Sequence, residues 1–222
     1  MTVPVLLAPG HPTLAPVPAP NRDLKRVLLY DGETPREVGT AAEELALDAA
    51  GGRPVLRRIQ LLRFEPLGEL AGIVTAEPRN LEPISHDTRH ADLRIEAAYG
   101  ELEITGAIVR RGGETTAIRT PRSALVFDLY ELEILLRVLP LARDYAAEAE
   151  LFWPERTAPV TVRLAVAGAE SVASGGGRSE LAWIVTAILA DVETSYRIGV
   201  ESRELLRQTQ RLADGTRVDF AR

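Results

Sequence analysis

The stretch Val160-Thr161-Val162-Arg163-Leu164-Ala165-Val166-Ala167 decides the fold class, because its larger apolar side chains fall on every second position. A chain of period two shows one face to a core and the other to water, which is the geometry of a half-buried β-strand. Leu102, Ile104, Gly106 and Ile108 repeat the pattern against Glu101, Glu103, Thr105 and Ala107. Outward from these two segments, short apolar runs are separated by Asp31-Gly32, Gly51-Gly52, Gly112-Gly113, Gly175-Gly176-Gly177 and Asp214-Gly215. Such pairs favour tight reversals, so the spacing predicts a succession of antiparallel strands. The expected strands are 24–30, 37–48, 55–64, 68–77, 81–89, 93–99, 101–110, 115–120, 146–152, 159–168, 180–190, 194–200, 204–213 and 216–221.

One segment departs from the alternation. Asp128-Leu129-Tyr130-Glu131 offers an N-cap with a glutamate three residues on, Leu129, Leu132, Leu136 and Leu139 follow at helical spacing, and Pro140 is a stop. This predicts one amphipathic helix of about three turns. Leu132, Leu136 and Leu139 are expected to face the interior, with Glu133 on the opposite side. Residues 1–22 hold six of the fifteen prolines. Neither a helix nor a central strand propagates through such a run, so residues 1–22 read as an extended leader of little consequence for stability. Residues 23–222 read as a single β-rich domain.

Composition agrees with one globular core. Of 222 residues, 45% are apolar and 26% charged, ordinary values for a folded domain of this length. The net charge of -6 speaks against a nucleic-acid partner. Without cysteine there is no disulfide, thiolate ligand or cysteine nucleophile. The longest apolar run, Leu181 to Ala190, is too short to cross a bilayer, so no membrane span is expected. Met1 to Ala8 lacks the basic residues that open an export signal, and none is expected in the sequence as it stands.

The strongest metal-like pattern is His86-Asp87-Thr88-Arg89-His90. On a strand, residues four apart are separated by about 13 Å, whereas zinc ligands each approach the ion to about 2.1 Å. No metal site is therefore expected, and no cofactor. Ser85 and His86 point to opposite faces of a strand, and no Gly-x-Ser-x-Gly elbow is present. The glycine run 175–177 leads into strand-like sequence and not into the helix start that a phosphate cradle needs. His11 falls in the leader. Eight of the eleven aromatic residues follow residue 120. A concave sheet closed by the helix would gather them around a filled core or around a ligand cavity, and the sequence is compatible with both.

The helical stretch Asp128 to Tyr145 carries further information when read with Val166-Ala167-Gly168-Ala169-Glu170-Ser171-Val172, Ala182-Trp183-Ile184-Val185 and Ser202-Arg203-Glu204-Leu205-Leu206-Arg207. In this order the motifs resemble the DUF3108 family of uncharacterised bacterial proteins, over residues 123–222 best. The family usually has Tyr-Trp-Ile where this chain has Tyr196-Arg197-Ile198. The resemblance implies a mainly β fold, a curved antiparallel sheet of half-barrel or open-barrel form, like the lipoprotein carriers of the cell envelope, around one internal helix. It implies no catalytic residues. Since members are typically exported, it implies a periplasmic or envelope location where a signal has been removed, and a cytoplasmic one otherwise. The expected function is non-enzymatic: binding of an apolar or lipid-like molecule, or an interaction scaffold. The candidate ligand contacts are Leu132, Leu136, Trp153, Trp183 and Tyr196. The alternative is a hydrolase built on His86 or His90 with Asp87 or Asp92.

Overall fold

Alternation becomes sheet along almost the whole chain. The structure, a computed structural model, describes residues 4–65, 68–123, 126–175, 178–212 and 214–222. Gly176 and Gly177 of the glycine run, and Ala213 at the end of an expected strand, lie outside these ranges. The first half of the chain forms β1 (Val5–Leu7), β2 (Asn21–Asp31), β3 (Thr34–Ala50), β4 (Arg53–Phe64), β5 (Gly68–Ala76), β6 (Pro83–His90), β7 (Leu93–Tyr99), β8 (Glu103–Arg110) and β9 (Thr115–Pro121). The second half forms β10 (Val126–Asp128), β11 (Ala146–Trp153), β12 (Ala158–Gly175), β13 (Arg178–Leu189), β14 (Val192–Gly199), β15 (Leu205–Arg211) and β16 (Arg217–Ala221). A single 3-10 turn, Leu129–Glu131, leads into α1 (Leu132–Val138).

All sixteen strands among the described residues belong to one sheet. It consists of two antiparallel meanders, β11 to β16 and β2 to β9, joined where β16 pairs with β2. Each expected strand has a counterpart. Two strands were not expected, β1 and β10, and both pair in parallel with β11, so the sheet is mixed and not purely antiparallel. Three residues are too few to display a period, and their partners lie far along the chain.

The sheet curls until its ends overlap. Ile95 and Tyr99 of β7, Ile104 of β8 and Ile118 of β9 form one buried cluster with Val126 of β10 and Phe152 of β11. The outer end of the roll therefore packs face to face on the inner end. Curling demands close backbone approach: a Cβ added at Gly39, beside the register shift between Val27 and Leu28, would lie 1.9 Å from the Arg63 carbonyl oxygen. Only glycine fits there.

Within the roll, α1 is largely enclosed. Leu135, Leu136, Val138 and Leu139 are fully buried against the inner faces of β11 to β14. This corrects the expected outward face. Glu133 is only 16% exposed and is ion-paired with Arg58, and Arg137 is buried with its Nε–H donating to the Arg203 carbonyl at 3.0 Å. A helix inside a curled sheet has little solvent-facing surface, so its polar residues must find partners.

The proline-rich leader makes two turns, in which the His11 N–H donates to the Ala8 carbonyl and the Leu14 N–H to the His11 carbonyl, each at 3.0 Å, and it is tied down. Leu7 is fully buried, Leu14 and Val17 pack on the main core, and the Ala15 N–H donates to the Val138 carbonyl at 2.8 Å. The leader straps across the end of α1.

Candidate functional site

The main core does not fill the roll. A cavity of about 420 Å³ lies between the 3-10 turn and start of α1 on one side and the inner faces of β4, β5 and β13 to β16 on the other. Strand alternation builds its far wall in cross-strand rows: Ala187, Thr194 and Gln210 face one another across β13, β14 and β15, and Tyr196, Gln208 and Phe220 across β14, β15 and β16. Leu62, Leu70, Leu129, Leu132, Leu189 and Val192 make the rest largely aliphatic. Trp153 closes the end of β11, with the Arg156 guanidinium 4.1 Å over its ring.

Three of the five sequence-derived contacts, Leu132, Trp153 and Tyr196, line this cavity. Leu136 does not, because α1 turns it away into the fully buried core. Trp183 is half-buried on the same core, in phase with Val185 and Ala187, but it lies four residues from Ala187, about 13 Å along β13.

The cavity also holds polar groups that the sequence did not point to. Arg58 enters from β4, where its Nε–H and Nη2–H donate to Glu43 Oε2 at 2.9 and 2.6 Å and its Nη1–H donates to the Tyr130 carbonyl at 2.7 Å. Its Nη2–H also donates to Glu133 Oε2. Burial opposes ionisation of Glu43, but the charges of Arg58 and Lys25 prevail and hold its carboxyl at about 2. Burial, aided by the Glu43 charge, pushes the Glu133 carboxyl above its ordinary range despite Arg58. Arg58 itself is driven further toward the charged form by Glu133 and Glu43, against the cost of burial. Gln60, Gln208 and Gln210 also reach the cavity, and their amides have no hydrogen-bond partner among the described residues. Two glutamines on the inward phase of β15 were the available signal, since polar residues at core positions need a reason.

Behind the 3-10 turn lies a second polar cluster, at the overlap of the roll. Asp128 caps the turn as expected: its Oδ1 accepts from the Tyr130 N–H at 2.7 Å while Glu131 Oε2 accepts from the Asp128 N–H at 3.0 Å. The same carboxylate accepts from the Tyr99 hydroxyl and meets His86 Nδ1 at 3.0 Å. On the other side of the ring, His86 Nε2 lies 2.7 Å from Thr88 Oγ1. Burial works against a charged His86, but Asp128 outweighs it and raises the imidazole above its ordinary value. Burial first, then the Asp128 charge, push the Glu131 carboxyl well above the carboxylate range. The Tyr130 ring meets His86 edge to face, 4.7 Å between centroids, and comes so close to β5 that a Cβ at Gly72 would lie 3.2 Å from it.

The residues of the hydrolase alternative are placed differently from one another. Asp87 points to the opposite face of β6, toward Arg89 and Arg94, while Asp92 pairs with Arg111 at the surface. The acid beside His86 is Asp128, and not Asp87 or Asp92. Thr88, His86 and Asp128 follow one another in the order of nucleophile, base and orienting acid, but Thr88 is buried and does not line the cavity. The cluster locks β6 and β7 of the outer turn to β10 of the inner one. Among the described residues no group of histidine and carboxylate side chains is arranged to hold a metal ion.

A single rolled sheet around an inner helix, with an open apolar cavity beside the helix, places the chain among barrel-like β proteins. Residues 36–217 match the family model "Protein of unknown function (DUF3108)", and the chain belongs to that family. Among solved structures it is similar to a "Beta-barrel-like Protein of Domain of Unknown Function DUF1849 from Brucella abortus", with a TM-score of 0.58, 11% identity, and coverage of 93% of this chain and 96% of that one. At this identity the likeness concerns the fold. No curated protein matches the chain. No helix among the described residues is long and apolar enough to cross a membrane.

Proposed function

We propose that the chain is a non-enzymatic binding protein whose cavity takes an apolar or lipid-like guest. The observation that carries this reading is the cavity itself: about 420 Å³, open at one side, walled mainly by leucine, valine and aromatic side chains. Ligand sites are of this size and mostly apolar, with a few polar groups that fix orientation. The position of Leu132 and Trp153 on the wall supports the same reading, as does the burial of Thr88, the hydroxyl beside His86.

The test is saturable binding of an environment-sensitive apolar dye, with native mass spectrometry of freshly purified protein to find a co-purified guest. One dye per chain is expected in the wild type. Leu189→Trp, which places a large ring in the cavity, should abolish it while leaving the thermal transition cooperative. No saturable binding of any apolar probe would return the chain to the scaffold reading.

A further inference from the structure

We infer that the cavity selects an uncharged amphiphile, one whose polar end both donates and accepts hydrogen bonds, and discriminates against fatty-acid anions; this rests on the binding reading above. The uncharged polar side chains of the wall include three amides, Gln60 on β4 with Gln208 and Gln210 on β15, beside Thr194, Tyr130 and Tyr196. Each amide carries both donors and acceptors, and none is used by the protein among the described residues. Hydroxyl, glyceryl and amide groups satisfy such a set.

A carboxylate does not find a counter-charge there. Among the described residues Arg58 is the one cation on the wall, and it is already hydrogen-bonded to Glu43, Glu133 and the Tyr130 carbonyl. Its charge is balanced before any guest arrives. Glu155 adds a further carboxylate to the lining, and its Oε2 is buried without a hydrogen-bond partner. Arg156, stacked over Trp153, is exposed and does not line the cavity. Enclosing an anion without a partner is strongly unfavourable, and a neighbouring carboxylate makes it more so.

The experiment compares four compounds with one alkyl chain, namely lauryl alcohol, monolaurin, lauric acid and laurylamine, as displacers of a bound apolar dye. Measurements are made at mildly alkaline pH and below micelle-forming concentrations. Lauryl alcohol and monolaurin should displace the dye at concentrations at least about tenfold lower than laurate. The double variant Gln208→Leu, Gln210→Leu should still bind the dye, which shows it folded, and should lose about tenfold in monolaurin affinity, the equivalent of one net hydrogen bond. Laurate displacing as well as the alcohol would overturn the inference, as would unchanged monolaurin affinity in the double variant. Laurylamine binding tightest would overturn it too, by making Glu155 the reader of the head group. Failure of the dye itself to bind would strike the binding reading first, and the selectivity with it.

Discussion

Asp128 joins three elements of the overlap through one carboxylate. It caps the 3-10 turn, accepts from the Tyr99 hydroxyl and faces His86, all with its side chain fully buried. Asp128→Ala should therefore destabilise the fold by about 3–5 kcal/mol in denaturant unfolding, the cost of breaking a buried network. Tyr99→Phe, which removes one hydroxyl, should cost only about 1 kcal/mol. Equal costs would mean that the carboxylate acts only through Tyr99. The capping role was legible from Asp128 and Glu131 alone. The contact with His86 was not, because the two residues are 42 positions apart and nothing local marks it. His86 also gives the fold a pH dependence. Its raised value means that its contribution is fully present below the ordinary imidazole value of 6.5 and is lost as pH rises through the folded value. Glu131 and Glu133, also raised, act in the same direction, whereas Glu43, held near 2, loses its contribution only as pH falls toward that value. The melting temperature should decline as pH rises above about 6.5, and His86→Gln should flatten that decline. A wild-type melting temperature that climbs over this range would contradict the assignment.

At the scale of elements, helix and strands differ in how far local pattern determines them. Leu136→Ala on α1 should cost about 2–5 kcal/mol, since the residue is fully buried. The amphipathic pattern suggested that Glu133→Ala would be nearly neutral. The structure predicts instead a loss of about 1–3 kcal/mol, because Arg58 would lose one of its acceptors in the interior. Chemical denaturation of both variants checks the pair, and a neutral Glu133→Ala would restore the outward face. Leu7→Ala in β1 should likewise cost about 2–5 kcal/mol, in contrast to the dispensable leader that the prolines suggested. The longer strands were legible because alternation repeats over many residues. The bounds of β1 and β10 were not, since three-residue parallel strands owe their existence to the edge of β11 and not to their own sequence.

For the molecule as a whole, a mainly β fold with one internal helix was legible from the turn signals and from the single interruption at Asp128 to Pro140. The overlap of the two sheet ends was not, because it depends on pairing β16 with β2 and on packing Tyr99 against Phe152, both of long range. The candidate site was legible in the same proportion. Leu132, Trp153 and Tyr196 stand out as large side chains and do line the cavity, whereas the glutamines and the Arg58 cluster emerge only once β4 and β15, distant in sequence, line the same cavity. The central claim, that a guest occupies this cavity, places it against Trp153 and away from Trp183. A brominated alkyl alcohol, whose heavy atom quenches indole emission on contact, distinguishes the two residues in one titration. Saturable quenching that persists in Trp183→Phe and disappears in Trp153→Phe is the predicted result; quenching that never saturates, or that survives in Trp153→Phe, would contradict it.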